Sequence, residues 1–298
     1  MEPILLLEGD PLVDCDGVAH SLYTLEFPKS KVSIKESFCF KTCKKTFTFL
    51  KLENVKRNKK CYDTLKEIMI QEIPHGLQNY GTGSMTWESS IIMSLYFSVY
   101  PEKLHGKILE LGSGCGLGLL TWNIANTLDC NTTSFTFTDY STPVLLQCQR
   151  NIEHNLNRLQ SEVNVLHLDW YNYQDDEQNL KKLRYDTMIA SDVAYRNQDL
   201  TALKATIELF LNYGSCAHIF GPIHRSTFQN LVEKMKRDDH LDVETEVLKA
   251  SRRRLLAADQ SMDPIPEPDS TVILFVHIAI RRRDADMDTS IANLMDID

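Results

Sequence analysis

From about residue 105 onward, two kinds of hydrophobic pattern alternate along the chain. Short apolar runs rich in β-branched and aromatic residues predict buried strands, and apolar positions recurring every three or four residues predict helices. The predicted strands are 107–111, 134–138, 163–168, 185–190, 216–220, 243–248 and 271–280. The predicted helices are 117–126, 141–157, 175–183, 199–211 and 226–236.

This regular alternation predicts a parallel sheet with helices on both faces. The last two strands break the pattern, because residues 252–270 contain three prolines and no apolar period. These strands therefore form a hairpin, and the final strand must run antiparallel to its neighbours. An α/β sheet of this kind is typical of the seven-stranded, Rossmann-like fold of class I methyltransferases.

Residues 1–75 are less regular, with predicted strands at 33–40 and 46–52, and we expect them to form a β-rich extension on the core. Eight Lys and Arg between residues 41 and 60 make it locally basic, which indicates either a solvated face or a docking surface for an acidic partner. The main domain is assigned to 76–283. The polar, acidic residues 284–298 are expected to be a disordered tail.

Composition narrows the class of protein. With 43% hydrophobic and 24% charged residues, the chain is globular and neither collagen-like nor wholly disordered. The net charge of −9 argues against a nucleic-acid substrate. No apolar run approaches the roughly 20 residues of a membrane span, and no basic segment precedes the N-terminal apolar stretch, as a secretory signal would require. The eight cysteines lack metal-ligand spacing, so we expect reduced thiols, no metal, and a cytoplasmic or nuclear location. We also expect a monomer.

The segment ELGSGCGLG, residues 110–118, lies between a predicted strand and a predicted helix. Glycines there let the backbone and the helix N-terminus approach a ligand closely. The dinucleotide pattern fails because Leu117 occupies its final glycine position, and the segment lacks the Lys-Ser/Thr ending of a phosphate loop. The carboxylate of Glu110 suits a cationic ligand, such as an amino group or a sulfonium, and repels pyrophosphate.

Asp139 ends the second predicted strand of the sheet. An acid at this place can accept both hydroxyls of an adenosine ribose, although it could instead be a turn or N-cap residue. S-adenosylmethionine carries a ribose, an amino group and a sulfonium. Together, Glu110, the glycine loop and Asp139 therefore predict S-adenosylmethionine as the cofactor.

Four further segments carry a family resemblance: GTGSMTWESS at 81–90, NIEHN at 151–155, LDW at 168–170 and SDVAY at 191–195. In combination they resemble the seven-β-strand, non-SET protein-lysine methyltransferases, in the branch that modifies elongation factors and chaperones. The resemblance covers about residues 80–280. It implies a lysine-bearing protein substrate, such as a translation factor.

Residue by residue, the resemblance implies a set of cofactor contacts: Trp87, Gly112, Ser113, Gly114, Asp139, Trp170 and Ser191. Ser191 stands where relatives commonly carry alanine, and either tryptophan could instead be a core aromatic. Asp192 would orient the target amine, and Tyr195 would wall the lysine channel. Asp192 could alternatively cap the following helix.

Several activities remain open at this point. Methyltransferases that act on adenine or glutamine typically show N/D-P-P-Y where this chain has Asp192-Val193-Ala194-Tyr195, so planar nitrogens are disfavoured. The alternatives to a lysine are a histidine or another small nucleophile. A noncatalytic module that keeps the fold as a scaffold is the other alternative.

Overall fold

A computed structural model describes residues 18–28, 30–39, 41–50, 67–73, 81–116, 118–128, 130–156, 162–172, 184–212, 214–255 and 270–283. Within these ranges the strands are β1 Val18–Phe27, β2 Ser30–Cys39, β3 Lys44–Phe49, β4 Ile68–Gln71, β5 Gly106–Leu111, β6 Thr132–Asp139, β7 Glu162–His167, β8 Thr187–Ser191, β9 Cys216–Pro222, β10 Leu241–Leu255 and β11 Ser270–Arg282. The helices are α1 Glu88–Val99, α2 Leu119–Thr127, α3 Thr142–Asn155, α4 Leu200–Phe210 and α5 Ser226–Lys236.

Seven of these strands form the predicted methyltransferase sheet. Their order is β7-β6-β5-β8-β9-β11-β10, and β5 to β9 pair in parallel. β11 lies between β9 and β10 and runs antiparallel to both. The predicted hairpin and the antiparallel final strand are therefore confirmed.

The N-terminal strands continue the same sheet, in the order β4-β3-β2-β1-β10. β1 pairs antiparallel with the second half of β10, from His20 opposite Leu255 to Glu26 opposite Lys249. A β-rich extension is thus confirmed. β1 and β4 were not predicted, and β10 is far longer than the predicted strand 243–248, because the pairing partner lies far away in the sequence. The division of the chain at residue 75 stays a prediction.

Helix α1 lies inside the fold, and the sequence pattern did not reveal it. Ten of its 12 residues are buried, because it packs against β1 and β2 as well as β8 and β9. Because almost every side of this helix is buried, its sequence lacks the alternation of apolar and polar positions from which a helix is predicted. Its buried hydroxyls bond backbone oxygens three residues earlier, as in Ser94 to Ile91 and Ser98 to Leu95, both 2.7 Å. No helix in the described ranges is long and apolar enough to cross a membrane.

The edge strand β4 is held by side-chain amides of α3. Asn155 donates to the Met69 carbonyl at 2.8 Å and accepts from the Met69 N–H at 3.2 Å. Asn151 makes the same pair of bonds with Gln71, at 3.0 and 2.9 Å, and also donates to the Cys115 carbonyl at 2.7 Å. The two asparagines of the N-x-x-x-N segment therefore hydrogen-bond the outer backbone groups of β4, as a neighbouring strand would.

Three segments discussed in the sequence analysis fall on parts of the chain that the structure does not describe. The predicted helix 175–183, the prolines of the 252–270 segment and the acidic tail 284–298 all lie outside the described residues.

Replacing Asn151 with alanine is expected to lower the free energy of unfolding by about 2–4 kcal/mol, because three buried or partly buried backbone groups lose their partner. The matched control is Gln149→Ala, on the exposed face of the same helix, with an expected change below about 0.5 kcal/mol. Thermal and urea denaturation measure both. Equal stability of the two variants would contradict the role given to Asn151.

Candidate active site

The loop after β5 is pinned to the neighbouring strand by its serine. Gly112 and Gly114 have φ angles of 66° and 54°, which disfavour any side chain. Between them, the Ser113 N–H donates to the Thr138 carbonyl at 2.8 Å, and Ser113 Oγ accepts from the Thr138 N–H at 2.9 Å. The two bonds fix the loop at the carboxyl ends of β5 and β6.

Asp139 continues this attachment from the end of β6. Its Oδ2 accepts the Gly114 N–H at 3.1 Å, and its Oδ1 accepts the Ser141 N–H at 3.0 Å. The side chain is largely buried, and burial raises the pKa of Asp139 although backbone N–H groups oppose the shift. Each carboxylate oxygen keeps a second lone pair that can accept from a ligand.

A second wall comes from the segment before α1. The Gly83 carbonyl accepts the Cys115 N–H at 2.8 Å, which joins this segment to the glycine loop. Trp87 Nε1 donates to the Thr82 carbonyl at 2.9 Å. Thr82, Gly83 and Trp87 all line the same cavity.

Trp170 lies over the glycine loop. A Cβ placed on Gly112 would lie 3.6 Å from Trp170 Cζ2 and 2.8 Å from Val193 Cγ1. The space in front of this glycine would therefore close if position 112 carried a side chain. Trp170 and Val193 thus lie close against the loop at Gly112, and Trp170 also lines the cavity.

The end of β8 contributes polar groups to the cavity. Ser191 is 4% exposed, and its Oγ has no hydrogen-bond partner among the described residues. Asp192 has a φ of 60°, and its N–H donates to the Phe220 carbonyl at 3.0 Å. This left-handed backbone follows directly on the end of β8 at Ser191, and such strained positions are common at functional sites.

Two residues from distant elements hold the Asp192 carboxylate. Arg225, next to the start of α5, pairs with Oδ1, and Ser89 Oγ of α1 donates to Oδ2 at 3.0 Å. The Asp192 side chain is 8% exposed. Burial raises the pKa of Asp192, whereas Arg225 and Ser89 oppose that shift. Neither partner was predicted, because Ser89 and Arg225 are remote in sequence.

An outer rim surrounds this part of the site. The Arg196 guanidinium lies 5.4 Å from the centre of the Tyr195 ring and bonds Asp199 at 2.6 Å. Tyr171 donates its hydroxyl to Asp199 at 2.7 Å. The rim thus combines aromatic rings with a fixed ion pair.

These walls enclose a cavity of about 350 Å³ at the carboxyl ends of the parallel strands. Most of the predicted site residues line it: Trp87, Gly112, Gly114, Asp139, Trp170, Ser191, Asp192 and Tyr195. Ser113 does not line it and instead ties the loop to β6. Arg225, which does, was missed.

Glu110 also lies outside the cavity lining. Its side chain is buried beneath the loop, against Gly118 at the start of α2, where an added Cβ would collide with the carboxyl group. Burial raises the pKa of Glu110 to about 8. The expected contact between Glu110 and a cationic ligand stays a prediction.

Glu110 is expected to make the stability of the free protein pH-dependent. Its pKa is near 4.5 when unfolded and about 8 when folded, so only the folded state holds the proton between these values. The free energy of unfolding therefore falls as pH rises from about 5 to 8, by roughly 3–5 kcal/mol. Glu110→Gln should remove this fall, as urea titrations at several pH values would measure. Parallel pH profiles of variant and parent would contradict the assignment.

Several solved structures resemble the chain at low identity. An O-methyltransferase from Bacillus cereus in complex with SAH is 13% identical, with a TM-score of 0.42 over 68% of this chain and 85% of that one. An SAH-bound methyltransferase from Podospora anserina is 15% identical, with a TM-score of 0.40 over 72% and 91%. A precorrin 8w decarboxylase from Methanobacterium thermoautotrophicum is 15% identical, with a TM-score of 0.42 over 66% and 90%. No curated protein matches the chain.

A family model described as lysine methyltransferase matches residues 66–238, more than half of the chain. The match runs from β4 to α5 and includes all the predicted site residues. It confirms the family predicted from the motifs, and with it S-adenosylmethionine as the methyl donor. The chain belongs to the lysine methyltransferase family.

Proposed function

We propose that the chain transfers a methyl group from S-adenosylmethionine to the side-chain amine of a lysine in a protein. The observation that carries this proposal is the shared cavity of Asp139 and Asp192. One carboxylate ends β6 beside the glycine loop and the other directly follows β8, so a donor and an acceptor can meet in the cavity that both line.

The cavity walls fit the chemistry of the cofactor. The free lone pairs of Asp139 suit ribose hydroxyls, the unpartnered Oγ of Ser191 can bond a polar ligand atom, and the Trp170 indole in the cavity lining can pack against a flat ring. S-adenosylmethionine would supply an electrophilic methyl group on a sulfonium. The chain itself must then hold the acceptor in line and keep it unprotonated.

Asp192 is the group best placed to orient the acceptor amine. A lysine amine has a reference pKa near 10.4 and must lose a proton before its lone pair can form the N–C bond as the C–S bond breaks. A lone pair of the Asp192 carboxylate can accept an N–H of the amine and orient it, while Arg225 and Ser89 hold the carboxylate in place. The released proton passes to solvent.

The surroundings of Asp192 favour an aliphatic amine over a planar nitrogen. Val193 and Ala194 are buried and carry no proline ring, so the backbone is not stiffened to present a carbonyl to an amide or a base. Tyr195, the next residue, lines the cavity and supplies part of the wall against which a lysine side chain would lie. Among protein substrates, translation factors are the class to which the motif resemblance points.

The direct test uses the purified chain, methyl-labelled S-adenosylmethionine and a cell lysate, followed by mass spectrometry of the labelled peptides. Methyl-lysine in a discrete protein is the expected result. Label only in histidine or in nucleic acid, or no label at all, would refute the proposal.

Asp192→Asn is expected to leave the affinity for S-adenosylmethionine within about threefold and to lower the methylation rate about 100-fold or more. Asparagine keeps an oxygen for Ser89 but loses the charge that orients the amine. The control is Asp242→Asn, which removes a half-exposed carboxylate on β10. Calorimetry and labelled-methyl transfer give the two quantities. Equal losses of binding and rate would make Asp192 a cofactor ligand instead.

Asp139→Ala is expected to weaken binding of S-adenosylmethionine about 10- to 100-fold, since a charged acceptor contributes about 1.5–3 kcal/mol. Asp139→Asn keeps a neutral acceptor and should lose less. Calorimetry at a temperature where circular dichroism shows folded protein measures both. Unchanged affinity in the alanine variant would remove Asp139 from the cofactor site.

A further inference from the structure

Three charged side chains meet in the interior of the N-terminal extension. Lys45 on β3 lies 2.9 Å from Glu36 on β2 and 3.1 Å from Glu72, which directly follows β4. The three side chains are only 13%, 6% and 7% exposed. We call Glu36, Lys45 and Glu72 the buried triad.

Lys45 and Glu36 remain charged despite their burial. Burial alone would lower the pKa of Lys45, but Glu36 and Glu72 raise it above its ordinary value. Burial opposes ionisation of Glu36, but Lys45 lowers the pKa of Glu36 below its ordinary value. Buried ion pairs contribute little net stability, because desolvation offsets their attraction. The small net contribution of the ion pairs to folding stability therefore does not account for three buried charged side chains at this place.

The triad is connected to the wall of the candidate active site. Glu72 Oε1, the atom that faces Lys45, also accepts the Thr86 N–H at 2.6 Å. The next residue, Ile73, donates its N–H to the Ser84 carbonyl at 3.1 Å. Thr86 immediately precedes Trp87, a cavity-lining residue. The position of Glu72 therefore sets the position of this wall.

A second ion pair holds the other side of Trp87. Arg252 on β10 bonds Glu88 at 3.0 Å, and its guanidinium lies 5.5 Å from the centre of the Tyr23 ring on β1. Thr86 and Glu88 flank Trp87, so charged groups of the extended sheet fix the backbone on both sides of it. Residues of the N-terminal extension therefore help to hold one wall of the candidate active site in position.

We propose that Glu36, Lys45 and Glu72 are positioning residues of the cofactor site, which hold the segment 81–88 so that Thr82, Gly83 and Trp87 face the cavity. Glu36 and Lys45 lie outside residues 66–238, which match the family. The inference rests on the proposed function in one respect only, since it takes the cavity to be the S-adenosylmethionine site.

The test compares substitutions at position 72. Glu72→Ala removes the acceptor of the Thr86 N–H and leaves Lys45 neutralised by Glu36, whereas Glu72→Gln removes the same charge but keeps an acceptor oxygen. Lys45→Met leaves two facing carboxylates without a cation. The control is Lys249→Met, which breaks an exposed ion pair with Glu26 on the same sheet.

The readouts are the dissociation constant for SAH by calorimetry, well below the Tm of each variant, and hydrogen exchange of the segment 81–88 by mass spectrometry. Glu72→Ala and Lys45→Met are expected to weaken SAH binding about 10- to 100-fold and to speed exchange in this segment more than in α5. Glu72→Gln and Lys249→Met should stay within about threefold of the parent.

Wild-type affinity in Glu72→Ala, equal losses in Glu72→Ala and Glu72→Gln, or equal losses in Lys249→Met would each overturn the inference. Failure of Glu72→Ala or Lys45→Met to fold would also overturn it, because the triad would then serve folding and not positioning. SAH binding needs no acceptor. A chain that binds SAH but methylates no protein would therefore refute the proposed function and leave this inference standing.

Discussion

The amide of Asn151 is the contact on which the geometry of the site depends. It bonds the backbone of Gln71 on β4 and the carbonyl of Cys115 in the glycine loop. From β4, Glu72 and Ile73 reach the segment 81–88, whose Gly83 carbonyl returns to Cys115. Interior hydrogen bonds thus link four parts of the chain in a closed ring: α3, β4, the segment 81–88 and the glycine loop. Loosening any member would leave buried backbone groups without partners.

The cavity and the glycine loop beside it contain several energetically unfavourable local features, which the rest of the fold must stabilise. Asp192 has a left-handed backbone, Ser191 keeps a buried hydroxyl without a partner in the described part of the chain, and Glu110 is a buried acid whose pKa is about 8. Such features persist only where the surroundings over-determine them, and they cluster where a ligand binds or reacts. The surrounding β-sheet and the fully enclosed α1 supply that rigidity.

The sequence predicted β5 to β9 well, because each of these strands carries its own apolar or β-branched positions between helical periods. It did not reveal β1 or the second half of β10, since each of these depends on the other as a pairing partner. The site residues show the same difference between local and long-range signals in the sequence. Gly112 and Asp139 belong to local motifs and were predicted, whereas the partners of Asp192 come from α1 and from the residue before α5 and leave no local signal.

The pairing of β1 with β10 has a consequence for how the protein is made. His20 and Leu255 are neighbours in the sheet but are separated by about 235 residues of chain. At a synthesis rate of about 5–20 residues per second, β1 waits roughly 10–50 s on the ribosome before its partner emerges. During that interval its backbone edge is open to other strands. The antiparallel strands β1 to β4 can pair among themselves early, and β1 can join the rest of the sheet only once β10 has been made.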